Sequence, residues 1–152
     1  KRQLIYDFFT SNKSLNFSYK IVVAKQKEIE QKNIHLAILD SMAKAVTGIS
    51  KITDHIIIDG KFLPPELEKY HAKTLVKADL KIKQVSAASI IAKVYRDKIL
   101  EKLHSIESFY EWNKNAGYGT KNHIRAITNI GISKFHRKTY QPISKLITKL
   151  ST

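Results

Sequence analysis

The sequence predicts an α/β domain in which helices cover a sheet. Two short apolar runs, HIIIDG at 55–60 and AKTLVKAD at 72–79, have the length and composition of strands. Apolar residues at helical spacing lie before and after these runs, at residues 34–48 and 86–104. Since predicted strands and helices alternate along the chain, we expect a layered arrangement of sheet and helices.

Length and charge favour a single folded domain that binds a polyanion. The 152 residues are 43% hydrophobic, enough to bury a core, and we expect one domain with a helical segment at about 120–152. Lys and Arg number 27 and Asp and Glu 13, so the formal net charge is +14. Such a charge is typical of proteins that contact nucleic acids. Lysine supplies nearly all of the positive charge, and codon bias is the alternative explanation.

The sequence excludes several classes of protein. It contains no cysteine, which rules out disulfides and thiolate metal sites and is compatible with a reducing compartment. No apolar run approaches the roughly 20 residues of a membrane span. The run LIY near the start is too short for the core of a signal peptide before Asp7 interrupts it. We therefore expect a soluble, cytoplasmic protein that does not bind membranes.

The first third of the chain predicts two helices and a strand. Apolar residues at i,i+4 spacing between Leu4 and Phe9 predict a helix at 2–12. Alternation of side chains at 17–23 is typical of a strand with one buried face. The stretch KQKEIEQK is interpreted as a charged connector to a second helix, which covers 34–48 and ends at a glycine.

The middle of the chain predicts two strands and the longest helix. HIIIDG predicts a strand buried on both faces, with Asp59 at its C-terminal end. The run at 72–79 predicts a second strand that ends at Asp79. Ser86 is the expected N-cap of a helix that continues to about His104.

The last third predicts an aromatic loop followed by helices. Residues 105–119 have no period but contain many aromatic residues and two glycines. Thr120 is the expected cap of a helix that ends at Gly131. A short segment, ISKLITKL, predicts one more helical piece near the C-terminus.

Two carboxylates follow the two predicted strands of the centre. Functional groups gather at the C-terminal ends of strands in α/β sheets, so Asp59 and Asp79 would converge if their strands are neighbours. Such a pair suits a hard divalent cation. Each residue also has a simpler explanation, because Asp-Gly is a common turn and polar residues often end strands. Five histidines show no metal-ligand spacing and are expected at the surface or in the core: His35, His55, His71, His104 and His136.

Two helix starts and one loop suggest contacts with a nucleic acid. Tyr118 lies between two glycines, which would let the backbone approach a ligand while the ring stacks on a sugar or base. The next helix carries three cations in its first turns, Lys121, His123 and Arg125. An external phosphate would relieve their crowding at the positive end of the helix dipole. A phosphate contact would likewise explain Ser86 and Lys93 near the start of the helix at 86–104. The alternatives are that Tyr118 anchors its own loop in the core and that the others are an ordinary cap and solvated surface.

These motifs together resemble bacterial ribonuclease HII. The resemblance is carried by VSAASIIAKVYRD, NKNAGYGTKNH and FHRKTYQP, preceded by an N-I-x-x-A helix start and an IIIDG strand. It implies an RNase H-like fold with a mixed sheet flanked by helices. It also implies an endonuclease that cleaves the RNA strand of RNA–DNA hybrids and cuts 5′ of ribonucleotides embedded in duplex DNA.

The resemblance also implies roles for individual residues. Asp59 and Asp79 look like two of the four catalytic carboxylates that hold Mg²⁺ or Mn²⁺ in the family. Tyr118 is similar to the tyrosine that stacks on the deoxyribose following the ribonucleotide. The residues expected to help bind an RNA–DNA hybrid or ribonucleotide-containing duplex are Ser86, Lys93, Lys121 and Arg125. We expect the protein to be a monomer.

The sequence departs from the family at one motif. The D-E-A-G-R-G segment, which supplies the other two ligands and reads the ribose 2′-hydroxyl, does not occur, and the only methionine is Met42. We therefore expect a partial RNase H-like domain without its first strands, from a fragment, a trimmed product or a decayed gene, with weak or no activity alone. The alternatives are a non-catalytic basic nucleic-acid-binding remnant and a structural protein whose lysines only aid solubility.

Overall fold

A computed structural model describes residues 1–12, 17–51, 54–141 and 143–145 of the chain. This part contains both helices and a sheet, as the sequence predicts for the α/β class, but three helices precede the two strands and three follow them, so the elements do not alternate. The helices are α1 (Arg2–Ser11), α2 (Gln26–Lys32), α3 (Ile34–Thr47), α4 (Lys83–Ile106), α5 (Trp112–Asn115) and α6 (Lys121–Ile130). The strands are β1 (His55–Asp59) and β2 (His71–Leu75), and 3₁₀ turns cover Pro65–Leu67, Ala78–Leu80 and Ser108–Tyr110.

The two strands form a parallel pair. Their register runs from His55 opposite His71 to Asp59 opposite Leu75, so both C-terminal ends lie at one edge. Ile56 and Ile58 are buried, whereas the residue between them is half-buried and the strand ends are exposed. The prediction that this strand is buried on both faces is therefore wrong for the described residues.

The described residues pack into two apolar clusters. The first lies under the sheet, where Ile56 and Ile58 pack with Ala43 of α3 and Leu67 of the first 3₁₀ turn. The second lies at the other end of the chain and joins Tyr110, Trp112, Ile127 and Ile143. Helix α4 packs against β1 and the Ala78–Leu80 turn as well as against α5, so it connects the regions around the two clusters.

Helix α4 begins four residues earlier than the predicted cap at Ser86 implies. It spans 24 residues, and its N-cap is Ile82, which makes no side-chain capping bond. Ser86 lies inside the first turn, where its N–H donates to the Ile82 carbonyl at 2.9 Å, so the prediction of Ser86 as N-cap is wrong. The preceding 3₁₀ turn sets the start, because the Lys81 and Ile82 N–H groups both bond the carbonyl of Ala78.

Two predictions near the N-terminus are also wrong. Residues 17–25 lie outside any helix or strand, although their side chains alternate as in a strand. A strand needs a hydrogen-bonded neighbour, and in the described part of the chain only β1 and β2 pair. The ring of Phe17 contacts Phe9 instead, at 4.8 Å between centroids. The charged connector is helix α2, which begins where the Lys25 N–H donates to the Glu28 carboxylate at 2.6 Å.

Helices α1, α3 and α6 confirm the sequence predictions.

The aromatic loop contains more regular secondary structure than the sequence predicts. Residues 105–119 contain a 3₁₀ turn and the short helix α5, and Tyr110 and Trp112 are buried core residues. Most of the predicted helical piece ISKLITKL lies outside the described residues. Only residues 143–145 of it are described, and they are helical.

Candidate functional site

Asp59 is held at the edge where both strands end. Its Oδ1 accepts a hydrogen bond from the backbone N–H of Ala78 at 3.0 Å. This bond forms because the parallel register brings β1 and β2 to the same edge, where the Gly60 N–H also bonds the Leu75 carbonyl at 3.2 Å. Lys77, with φ of 57°, then turns the chain so that Ala78 faces β1. The sequence therefore correctly predicts that Asp59 lies at a strand end.

Asp79 does not end a strand. It is in the 3₁₀ turn Ala78–Leu80, beyond the end of β2 at Leu75, which corrects the prediction of a strand to residue 79. It directly follows the residue that Asp59 binds. Its Oδ2 is 4.0 Å from Lys93 Nζ of α4, and its side chain is 26% exposed. The structure thus joins Asp59 to the turn that carries Asp79, and Asp79 to Lys93 of α4. The sequence singles out all three of these charged residues.

The GYGT loop is fixed through its backbone and exposes its ring. The Tyr118 N–H donates to the Asn115 carbonyl, and the Tyr118 carbonyl accepts from the Thr120 N–H, both at 2.8 Å. The Asn115 side chain accepts from the Gly117 N–H at 2.8 Å. The Tyr118 side chain is 66% exposed. The alternative that its ring anchors the loop in the core therefore does not hold.

Helix α6 presents two of its three N-terminal cations to solvent. Lys121 and Arg125 are exposed, as a contact with phosphate requires. The Thr120 hydroxyl accepts from the His123 N–H at 3.3 Å, which confirms Thr120 as the N-cap. His123, however, is only 3% exposed. The expectation that it meets a phosphate is wrong, because it lies four residues before the buried Ile127 and so shares the apolar face of the helix.

Two buried histidines form a pair behind the GYGT loop that no sequence pattern predicted, although His136 was expected at the surface or in the core. His123 Nε2 and His136 Nε2 are 2.9 Å apart, and His136 is also only 3% exposed. Burial, followed by the proximity of His123, lowers the pKa of His136 to about 4. The spacing of His123 and Ile127 is a sequence signal for the first histidine. No local signal marks the second, which is in a turn after α6.

The two aspartates and the GYGT loop lie near different parts of helix α4. Lys93, beside Asp79, is in the first half of the helix, whereas Leu100 and Leu103 of the second half line a cavity of about 340 Å³ shared with Tyr118. No hydrogen bond or ion pair of the described residues joins Tyr118, Lys121 or Arg125 to either aspartate. The two groups are therefore separate candidate contact sites within the described part of the chain.

Comparison with known sequences identifies the family. A family model described as Ribonuclease HII matches residues 2–143. The chain belongs to the ribonuclease HII family. This membership confirms the α/β, RNase H-like fold class, and it makes the chain part of a family of endonucleases that act on RNA-containing nucleic acids.

Several curated ribonuclease HII sequences are similar over most of the chain. The protein of Pelagibacter ubique is 46% identical over 132 residues, which cover 87% of this chain and 70% of that protein. The protein of Ehrlichia chaffeensis is 41% identical over 99% of this chain and 68% of its own length. The protein of Wolbachia pipientis wMel is 38% identical, over 96% of this chain and 71% of its own length.

Among the described helices, none is long and apolar enough to cross a membrane.

Ribonuclease HII enzymes generally depend on divalent metal ions, and the two aspartates fit part of such a site. Their carboxylates are hard oxygen donors on one edge of the sheet. Mg²⁺ is commonly held by one or two carboxylates together with waters and substrate phosphates. The described residues contain no group of three or more acidic or histidine side chains placed to hold a metal. Asp59 and Asp79 therefore suit an ion that draws its other ligands from water, the nucleic acid or further protein groups.

Proposed function

We propose that this ribonuclease HII chain carries out metal-dependent endonucleolytic cleavage of RNA joined to DNA. Its substrates would be the RNA strand of RNA–DNA hybrids and the 5′ side of ribonucleotides embedded in duplex DNA. The observation that supports this proposal is the hydrogen bond from the Ala78 N–H to Asp59, which links the end of β1 to the turn that carries Asp79. Family membership supplies the reaction class.

The aspartates would hold Mg²⁺ or Mn²⁺, with Lys93 beside them. Bound divalent ions supply an activated water and stabilise the leaving 3′ oxygen in phosphodiester hydrolysis. The Ala78 N–H donates a hydrogen bond to Oδ1 of Asp59 and so fixes the orientation of this carboxylate. Its other oxygen, Oδ2, would bind the ion. The ammonium group of Lys93, 4.0 Å from Asp79, balances the charge of this carboxylate when no ion is bound.

The GYGT loop and the start of α6 would recognise the substrate. The exposed Tyr118 ring would stack on the deoxyribose that follows the ribonucleotide, since an aromatic face is a good platform for a sugar or base. Lys121 and Arg125 lie on the first turns of α6, where the helix dipole adds to their attraction for phosphate. Lys93 and the half-buried Ser86 would contact the backbone nearer to the aspartates.

We expect the 152-residue chain to be weakly active or inactive by itself. The family uses four carboxylates, and the described residues place only two together. With fewer ligands, a divalent ion binds more weakly and its position is less well fixed. We also propose that residues 1–152 behave as a single, partial RNase H-like domain and as a monomer in solution.

The experiment is single-turnover cleavage with the chain in excess over a labelled duplex that contains one ribonucleotide, with Mg²⁺ or Mn²⁺. We expect slow cleavage 5′ of the ribonucleotide that Asp79→Asn removes. Asp97→Asn is the matched control, because this carboxylate pairs with Arg96 and is 45% exposed. Cleavage that Asp79→Asn leaves unchanged would contradict the assigned site. Robust cleavage abolished by Asp79→Asn would contradict only the expectation of weak activity.

The net charge of +14 favours a second candidate, a basic nucleic-acid binder without metal chemistry. Such a protein would bind a DNA duplex and a ribonucleotide-containing duplex equally well, with a steep dependence on salt. The proposed enzyme should prefer the duplex with the ribonucleotide because of Tyr118. Equal affinities, with no cleavage under any metal condition, would favour the binder.

A further inference from the structure

A chain of hydrogen bonds runs through the protein behind the GYGT loop. The Ser133 N–H donates to His136 Nδ1 at 2.9 Å. The Nε2 atoms of His136 and His123 are 2.9 Å apart, and His123 Nδ1 is 2.9 Å from the Tyr118 carbonyl oxygen. Both rings are buried. The chain therefore links a turn after α6 to the backbone of the residue assigned to substrate stacking.

The partners fix the protonation state of both rings. A backbone N–H is only a donor, so His136 Nδ1 must accept, and the ring proton of His136 is on Nε2. His123 Nε2 must then accept from His136, which leaves the proton of His123 on Nδ1, facing the Tyr118 carbonyl. Each bond in the series has one donor and one acceptor only when both rings are neutral.

The surroundings of the pair favour this neutral state. The Trp112 ring lies 4.9 Å from His123 and 4.6 Å from His136, and the Tyr110 ring lies 4.8 Å from His136. An imidazolium ion is poorly solvated among these rings, and for His136 this effect outweighs the attraction of the Glu107 carboxylate, which favours the charged form. A proton added to either ring would also place two N–H groups against each other, or against the Ser133 N–H.

Tyr118 depends on its backbone for orientation. Its ring is 66% exposed, so the core does not hold it. Its carbonyl accepts from the Thr120 N–H and from His123 Nδ1, and its N–H donates to Asn115. The Thr120 bond lies within the GYGT loop, and the Asn115 bond comes from the backbone at the end of α5. Among the bonds of the described residues, only the one from His123 ties the Tyr118 carbonyl to a buried side chain of a helix.

We propose that His123 and His136 are positioning residues which, as a neutral hydrogen-bonded pair, fix the Tyr118 carbonyl and thereby aim its ring at the nucleic acid. This inference rests on the proposed function of Tyr118 as the residue that stacks on the sugar. His136 acts through His123, since its Nε2–H sets which nitrogen of His123 carries the proton. Neither histidine touches the reacting atoms.

The protonation states are tested on the unmodified chain by ¹⁵N NMR of the imidazole rings. We expect His136 to be protonated at Nε2 and His123 at Nδ1, both neutral at pH 7. The opposite tautomer in either ring, or a charged ring at pH 7, would overturn the inference. This measurement depends neither on activity nor on a variant that must fold.

Two substitutions of His123 separate its two bonds. An asparagine amide reaches the position of Nδ1, so His123→Asn can still donate to the Tyr118 carbonyl. A glutamine amide reaches the position of Nε2, so His123→Gln keeps a partner for His136 and loses the bond to Tyr118. We expect His123→Gln to shift the ¹³C resonance of the Tyr118 carbonyl and His123→Asn to leave it close to that of the original chain.

The functional measurement is the ratio of dissociation constants for an all-DNA duplex and the same duplex with one ribonucleotide. We expect His123→Gln to lower this ratio by about fivefold, the worth of one neutral hydrogen bond, and His123→Asn to preserve it within about twofold. If Tyr118→Ala leaves the ratio unchanged, the proposed function of Tyr118 fails, while the ring tautomers and carbonyl shift still decide the positioning role. If Tyr118→Ala removes the preference and His123→Gln does not, the positioning role alone is wrong.

Discussion

The Asp59 carboxylate and the Ala78 backbone N–H are joined by a hydrogen bond of 3.0 Å. This bond links the end of β1 to the turn that carries Asp79. It therefore sets the relative position of the two aspartates through the backbone. Because an amide oxygen can accept the same bond, asparagine at position 59 removes the charge while keeping this geometry.

Metal binding should require both aspartates. We expect saturating Mn²⁺ to raise the melting temperature of the chain by several degrees, because an ion that binds only the folded state stabilises it. Asp59→Asn and Asp79→Asn should each reduce this rise to less than half, without lowering the melting temperature in chelator. Differential scanning calorimetry measures both. An unchanged rise in either variant, or an equal loss in Asp97→Asn, would contradict the assigned site.

The core under the sheet should depend on Leu67. This side chain is fully buried, at 0% exposure, between Ile56, Ile58 and Ala43. Leu67→Ala should lower the free energy of unfolding by about 2–5 kcal/mol, through lost burial and the cavity that remains. Leu80→Ala is the control, since Leu80 is 77% exposed and should change stability by less than about 0.5 kcal/mol. Urea denaturation gives both values.

The buried histidine pair should make stability depend on pH. The pKa of His136 falls from 6.5 to about 4 in the folded chain, so between these values the unfolded state binds a proton that the folded state does not. Its contribution is fully present above pH 6.5 and is lost as the pH falls towards about 4. The slope attributable to it is at most about 1.4 kcal/mol per pH unit.

Urea denaturation at a series of pH values measures this slope. His136→Asn should reduce it, because the amide oxygen can accept from the Ser133 N–H without titrating. Replacement of the exposed His71 by Gln should leave the slope unchanged. An equal slope in His136→Asn and the original chain would show that other groups cause the pH dependence.

Lys121 and Arg125 should each contribute about one phosphate contact. Replacing either with Ala should reduce the slope of log affinity against log salt by about 1 and weaken binding similarly for all sequences. Lys44→Ala is the control, since Lys44 already pairs with Asp40 at 2.9 Å on α3. Fluorescence anisotropy over a salt series provides the slopes. An equal reduction in all three variants would indicate a diffuse charge effect rather than two defined contacts.

Local signals in the sequence account for much of the fold. Helix α3 was predictable from its apolar period and the glycine after it, and α6 from its Thr120 cap and Gly131. Strand β1 followed from a short run of isoleucines. The sequence motifs also indicate the ribonuclease HII family, whose model matches residues 2–143. These features need only neighbouring residues, or a pattern of letters, to be recognised.

The charged helix α2 shows where local signals were misread. Its start, where the Lys25 N–H bonds the Glu28 side chain, is a local feature, but a charged composition concealed it. The start of α4 is different, since the preceding 3₁₀ turn, rather than a side-chain cap, determines it. Ser86 has the side chain of a cap but lies within the helix.

The sequence by itself determined the helices with strong periods and the identity of the candidate aspartates. Only the tertiary structure decided that residues 17–23 form no strand, that Asp59 contacts Ala78 and that His123 meets His136. Strand pairing and buried hydrogen bonds join residues distant in sequence. A strand-like pattern does not show whether a neighbouring strand is available to pair with it. A polar residue in the sequence does not show which distant group it bonds. The geometry of the candidate site is therefore a property of the folded chain.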